Sequence, residues 1–269
     1  MRVFLLIVFI IILLPLYFMV TSSIQDVYGV MAMPPRLIPR ELTLENYTIF
    51  INNQFFVYIM NTVIVASCVI IASALVSCMT GYCFAYFKFP FKRALWLLIL
   101  FGVMIPYISL VIPKIVVVDK IGLSGTLASV ILPCILSPTS IYITRCYFES
   151  LPYSLLESAR IDGANEWQIL TKIAAPLSKS LVAALLIFAS IGILNDYLWQ
   201  MLCLQDNERM TLVVGLMKEV RRSTVVYDMK MNPFGKAMAS GIILFIPILV
   251  IFLFGNKYFT SSLQGGVKE

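Results

Sequence analysis

Of 269 residues, 60% are apolar and 13% are charged, against about a quarter charged in soluble domains, which excludes an ordinary soluble enzyme or binding module. The net charge of +6 has no basic cluster in a soluble segment behind it, so it suits anionic lipid headgroups better than nucleic acid. With no His anywhere and no G-x-x-x-x-G-K-S/T run, His-based acid–base catalysis, Ser–His nucleophiles, HExxH zinc sites and P-loop ATP hydrolysis are all removed.

A span needs about 20 mostly apolar residues, and charge-free intervals of that size recur along the chain. Residues 3–25 hold the first. Its apolar run is long and no small-x-small cleavage site follows closely, which does not fit a signal peptide. An external loop carrying Pro34-Pro35 and Leu44-x-Asn46-Tyr47 comes next. Residues 46–87 contain no charge, enough for a second span with a lead-in. Ser67, Ala72, Ser73, Ala74, Ser77, Thr80 and Gly81 make that span small-residue-rich, which predicts close helix packing. Lys88, Lys92 and Arg93 crowd the short connection after it. Residues 94–113, 121–144, 180–195 (continuing past Asp196 to 204) and 237–256 complete the set. The fold class is all-α, a polytopic membrane protein with six transmembrane helices.

Orientation is harder to read. With the N-terminus inside, each side of the membrane carries ten Lys and Arg residues, so counting whole sides decides nothing. Density near the span ends favours N-inside, because Lys88, Lys92 and Arg93 lie in the shortest connection, where the positive-inside rule applies best. The external positives fall mostly in segment 205–236, diluted by Asp206, Glu208, Glu219 and Asp228. The six Cys form no C-x-x-C pair, and Cys68, Cys78, Cys83, Cys134 and Cys203 sit in or beside spans, where a thiol behaves as a small hydrophobe. Neither a metal site nor a disulfide framework is expected.

Between the fourth and fifth spans lies a polar island, residues 145–178. Pro152 suits a first helical turn, and residues 153–161 read as a short helix with Leu155, Leu156, Ala159 and Ile161 apolar among polar neighbours. Gly163 supplies the positive φ of a sharp turn. A second short helix over about 165–174 follows, with Asn165 as N-cap and Pro176 blocking continuation. Two short helices at an angle make a knob that a partner's groove can hold. Spacing alone does not separate that from an ordinary helical hairpin.

The island resembles the "EAA" loop of ABC importer permeases: Glu157-Ser158-Ala159, three residues, Gly163, nine residues, then Ile173-x-x-Pro176. Ser158 and Ala175 depart from the family's Ala and Leu. Asn61-Thr62-Val63-Ile64-Val65-Ala66, Gly81-Tyr82-x-Phe84-Ala85-Tyr86, Thr211 to Leu216, Ser240-Gly241 through Pro247, and Lys257-Tyr258-Phe259 with Gly265-Gly266-Val267-Lys268 are similar to further stretches of that family. The closest likeness is to the smaller permease subunit of maltose-type carbohydrate importers. Leu194 replaces a usual Trp, Trp199 often a Pro, and Glu269 the terminal Gly.

The resemblance implies a type I ABC importer permease fold. Its organisation would be a first span with external loop (1–56), a permease core (57–257) containing the coupling loop 145–178, and a cytoplasmic tail (258–269) reaching the ATPase pair. It implies a carbohydrate permease that couples to a separate ATPase through Glu157, Ser158, Ala159, Asp162, Gly163, Ile173 and Pro176. The implied partners are a second, related permease, a pair of ATPase subunits and an extracytoplasmic sugar-binding protein. ATP and Mg would be held by the ATPase, with no cofactor in this chain. The expected location is the bacterial cytoplasmic membrane. A permease for a non-sugar solute, or an ion-coupled carrier resting on Asp196, remain as alternatives.

Polar residues within spans are candidates for a solute path: Asn61, Asn195, Asp196 and Tyr197. Asp196 lies 16 residues beyond Ser180, roughly 24 Å along a helix, and so near the external interface. An interfacial cap or an interhelical hydrogen bond is the commoner role for such an acid, and Asn61 is more often helix-packing glue than a ligand contact.

Overall fold

Apolar runs that cross a bilayer must satisfy their backbone internally, and every regular element among the described residues is a helix. The computed structural model describes residues 2–32, 34, 36–51, 53–225 and 232–265. In chain order the helices are α1 (Arg2–Ser23), α2 (Val27–Val30), α3 (Asn53–Tyr86), α4 (Lys92–Met104), α5 (Tyr107–Lys120), α6 (Leu127–Ile135) and α7 (Pro138–Glu149). They continue as α8 (Tyr153–Ile161), α9 (Glu166–Ile169), a π-helical stretch (Leu170–Ala174), α10 (Ala175–Leu177), α11 (Lys179–Asn195), α12 (Tyr197–Cys203), α13 (Leu212–Val225) and α14 (Pro233–Gly265). Residues 258–265 of the expected tail are the end of α14; Gly266 to Glu269 lie outside the described residues.

Among the described residues four segments are long and apolar enough to cross a membrane: Val3–Ser23, Gln54–Tyr86, Leu127–Glu149 and Pro233–Phe254. Two bent pairs bring the number to six if each is one span: Lys92–Met104 with Tyr107–Lys120, at 112°, and Glu166–Leu177 with Lys179–Asn195, at 84°. Six spans are therefore compatible with the fold, but two of them are not straight. The run 94–113 breaks at Ile105-Pro106. Pro106 pushes the preceding residue out of the helical region, and Ile105 takes φ −72°, ψ 125°. The fifth run does not continue unbroken to 204 either. Asp196 leaves helical geometry (φ −78°, ψ 73°) and its side chain accepts from the Trp199 N–H, starting α12 afresh.

The chain divides into two units, Met1–Thr62 with Gln205–Leu249, and Val63–Leu204 with Val250–Glu269. In the first, carbonyls at and just beyond the end of α1, which lack helical partners, are met by side chains. Asn46 Nδ2 donates to the Ser23 and Gln25 carbonyls, at 2.9 Å each, and Asn232 Nδ2 donates to the Gln25 carbonyl at 3.0 Å. Tyr47 donates to Ser23 Oγ at 2.9 Å. The Asn46-Tyr47 pair is thus a C-terminal clamp on α1. Also in this unit, α13 packs Leu212, Val213, Val214 and Leu216 inward while Arg221 and Arg222 stay exposed. It rests against Tyr58: a Cβ on Gly215 would lie 2.3 Å from that ring.

The second unit is organised around the C-terminal half of α3. Gly81 lets α3 meet α7 closely, since a Cβ there would lie 2.6 Å from Thr144 Cγ2 and 3.0 Å from the Arg145 backbone nitrogen. The close packing expected of this small-residue span is present at that point. Alongside it the Arg145 guanidinium stacks on Trp96 at 3.9 Å and its Nε pairs with Glu149 at 2.8 Å, fastening α4 to α7.

Candidate functional site

The polar island folds as two short helices closed by local hydrogen bonding. α8 spans the residues its apolar spacing predicts and stops in a Schellman motif. The Gly163 N–H reaches the Arg160 carbonyl at 3.1 Å and the Ala164 N–H reaches the Ala159 carbonyl at 3.0 Å. Gly163 sits at φ +83° with open space around its Cα, so conformation rather than room selects glycine here. Asn165 caps α9 in a reciprocal box: Asn165 Oδ1 accepts from the Gln168 N–H (2.9 Å) and Gln168 Oε1 from the Asn165 N–H (3.0 Å).

Pro176 acts differently from the expectation. It does not end the second helix at 174; the chain stays helical through Leu177. Proline inside a helix has no N–H and its ring clashes with the carbonyl four residues back. The π stretch before it widens the turn, with the Ala175 N–H bonding to the Leu170 carbonyl in i→i+5 register. The chain turns after Ser178 instead, into α11.

The knob is not free-standing. Leu156, Ala159, Ile169, Leu170 and Ala174 share one apolar core with Ala74 and Tyr82 of α3, Phe148 of α7, and Leu181 and Leu185 of α11. Among the residues expected to couple, Ala159 is buried in that core and Ile173 packs partly against it. Glu157, Ser158, Asp162, Gly163 and Pro176 are exposed. Also exposed are Ile161, at 82%, which the sequence placed among the apolar positions of α8, and Trp167, at 58%, which it did not single out. A Trp within a polar island is the signal that could have found Trp167. The knob thus exposes two acids, Glu157 and Asp162, the basic Lys172, and apolar projections at Ile161 and Trp167, above a packed core.

Electrostatics tie the knob internally. Arg160 Nε donates to Glu166 Oε1 at 2.8 Å, and the Tyr82 hydroxyl donates to Glu166 Oε2 at 2.7 Å. The Arg160 guanidinium beside Glu166 holds its carboxyl below the usual carboxylate range, with the Tyr82 hydroxyl acting the same way against partial burial. None of these three residues was among those expected. Eighty-four positions separate Tyr82 and Glu166, and no periodicity links them.

The solute-path candidates fall into two groups. Asn61 is buried in the first unit, its Nδ2 donating to the Glu208 and Met210 carbonyls at 3.0 Å each. Neighbouring Thr62 Oγ1 accepts from the Leu212 N–H at 2.7 Å. This is the packing reading of Asn61. Replacing Asn61 with Leu is expected to strand two carbonyls, costing about 1–3 kcal/mol. It should therefore lower the melting temperature in detergent while leaving the half-saturating solute concentration for uptake unchanged; a shifted half-saturation would place Asn61 on the solute path.

The other three lie in the second unit, where α11 gives way to α12. Asn195 is exposed and bonds its own helix at the Ile191 carbonyl (3.0 Å). Asp196 caps α12 and accepts from the Tyr107 hydroxyl at 2.6 Å. Tyr197 is half-buried. Lys114 Nζ lies 5.2 Å from the Tyr107 ring centre and 5.7 Å from that of Trp199. Asp196 is therefore both cap and interhelical bond, within a polar and aromatic group that also holds Tyr107, Lys114 and Trp199. Among the described residues no group of His, Cys, Asp and Glu is placed to hold a metal ion.

The chain is similar to known proteins. The chain is 32% identical to the arabinooligosaccharides transport system permease protein AraQ of Halalkalibacterium halodurans, over 86% of this chain and 81% of the relative. AraQ of Bacillus subtilis is 31% identical over 86% and 80%. The sn-glycerol-3-phosphate transport system permease protein UgpE of Rhizobium meliloti is 26% identical over 94% and 91%. Among solved structures, a bacterial ABC transporter involved in the import of the acidic polysaccharide alginate superposes with a TM-score of 0.80, covering 96% of this chain and 94% of that one. At 22% identity this is a likeness of fold. Residues 73–264 match the family described as binding-protein-dependent transport system inner membrane component; that stretch is well over half of the chain and includes the whole knob, and the chain belongs to this family.

Proposed function

We propose that this chain is the permease subunit of an ATP-driven carbohydrate importer, providing half of the translocation pathway and docking its knob into a separate ATPase. The observation that carries the reading is the knob itself. An exposed face of Glu157, Asp162, Ile161 and Trp167 is fixed by the positive-φ turn at Gly163 to a core that it shares with α3, α7 and α11. Force applied to that face has a packed route into the membrane helices. The carbohydrate assignment is supported by the AraQ relatives; the UgpE relatives, whose name specifies sn-glycerol-3-phosphate, favour a small phosphorylated solute as the second reading.

The assembly we infer has a second, related permease, a pair of ATPase subunits that bind ATP and Mg, an extracytoplasmic binding protein, and both termini of this chain in the cytoplasm. ATP-driven closure of the ATPase pair would carry the knob with it and turn the permease pair from inward-open to outward-open. In this assembly the end of α14 would make a second contact with the ATPase.

The test is reconstitution. This chain alone should hydrolyse no ATP, and the full assembly in vesicles should do so and take up solute. Removing one partner of a close charged contact at an interface costs about 2–5 kcal/mol, so Glu157→Ala should weaken ATPase association at least tenfold, by pull-down titration. Unchanged association and uptake would remove Glu157 from the interface. A thermal-shift screen of the partner binding protein with arabinooligosaccharides, other sugars and glycerol 3-phosphate separates the two solute readings.

A further inference from the structure

Beyond docking, we infer that Tyr82, Glu166 and Arg160 form a directional tie that passes the knob's movement to the membrane helix α3, with Glu166 at its centre. The inference rests on the coupling reading above and extends it to residues outside the contact face. An apolar core such as the one beneath the knob resists separation, but it is non-directional, and a knob held by it alone could slide or rotate under load. Hydrogen bonds to a charged group have fixed geometry and are stronger than neutral ones.

Glu166 joins two partners: Arg160 grips both carboxylate oxygens, with its Nη2 on Oε2 at 3.3 Å, and Oε2 also faces α3. Oε1 receives Arg160 Nε at 2.8 Å, joining the first turn of α9 to the last turn of α8 across Gly163. Oε2 receives the Tyr82 hydroxyl at 2.7 Å. Tyr82 is itself fixed: it is 2% exposed and its ring meets Phe148 edge-on, at 5.8 Å between centres. One residue earlier on α3, Gly81 lies against Thr144 of α7. A movement of α8 is therefore transmitted through Arg160 and Glu166 to a ring wedged where α3 and α7 meet. Arg160 also places its guanidinium 5.8 Å from the Tyr153 ring at the start of α8, so both ends of that helix bear on the tie.

Glu166, Tyr82 and Arg160 are positioning residues in this proposal, and the readout has to separate positioning from folding. The experiment uses the full complex in vesicles with Tyr82→Phe, which removes the hydroxyl and keeps the ring, Glu166→Gln, and the double variant. Assembled complex and ATP hydrolysis should stay near wild type. Solute taken up per ATP hydrolysed should fall about tenfold in each single variant, the scale of one charge-assisted hydrogen bond. The double variant should be no worse than the poorer single, because one tie is broken either way. An unchanged uptake-to-ATP ratio in all three would overturn the proposal, and so would uptake and ATPase falling together with the amount of complex recovered. A Gly163→Val complex in the same vesicles distinguishes the two levels. If it is uncoupled while Glu166→Gln is not, the tie is wrong and the docking reading stands; if it transports normally, both fall.

Discussion

Gly163→Val is expected to abolish solute uptake while the protein remains in the membrane at normal abundance. The residue holds φ +83° with nothing within 4 Å of where a Cβ would stand, so valine meets no clash with neighbours. The penalty is conformational. Left-handed geometry costs an L-residue about 1–2 kcal/mol, and a β-branched side chain is a true outlier there. A local rearrangement would relieve that strain more cheaply than unfolding a helical membrane protein. The turn would open, the two Schellman bonds would be lost, and the face carrying Glu157 and Asp162 would tilt away from its partner. Gly163→Ala should show an intermediate defect, and Gly163→Asn, a residue that tolerates the left-handed region, the mildest. The measurement is uptake in cells beside an immunoblot of the membrane fraction. Wild-type uptake by Gly163→Val cells would count against the coupling role.

Gly81→Leu should fail differently, by loss of folded protein. A Cβ at this position would lie 2.6 Å from Thr144 Cγ2, 2.7 Å from Thr144 Cβ and 3.0 Å from the Arg145 nitrogen. The last of these is backbone and cannot swing aside. Overpacking of a filled core costs about 1–3 kcal/mol and more where no rotamer escapes. Separating α3 from α7 would also strain the Arg145 stack on Trp96 and the position of Phe148 in the knob's core. The expected result is a marked drop in membrane level and in melting temperature in detergent, with uptake reduced in proportion. Gly81→Ala should lie between. Thr144→Gly in the same chain should return part of the loss, since two of the three close contacts are with the Thr144 side chain. A stable Gly81→Leu protein would mean that α3 and α7 are not packed as described.

The contrast between these two glycines marks what can be read from a linear chain. Gly163 was legible as a turn because its requirement is local: an apolar helix before it, a capping Asn after it, and a φ that only glycine takes easily. The boundaries of α8 and the Asn165 cap were legible for the same reason, since capping and propensity act within about four residues. Composition likewise determined that the chain is helical and embedded in a membrane, because unpaired backbone is not tolerated in lipid.

Where helices break was not legible from proline alone. Pro15, Pro113, Pro133 and Pro247 lie inside helices, while Pro106 accompanies a bend of 112° and Pro176 is carried through by a π stretch. Whether a missing N–H kinks a helix depends on what packs beside it. The buried face of α13 is not evident within the charged segment 205–236, because it exists only where Tyr58, Asn61 and Thr62 receive it. The pairings that give the knob its base, Tyr82 with Glu166 and Gly81 with Thr144, join residues dozens of positions apart. Their energy comes from approach in space, and nothing in the spacing of the chain encodes it. The sequence by itself therefore determined the helical class, the turn at Gly163 and the two acids of the knob's face. Tertiary packing alone decided which helices bend and which side chains bind the knob to the membrane helices, because those outcomes depend on contacts between distant parts of the chain.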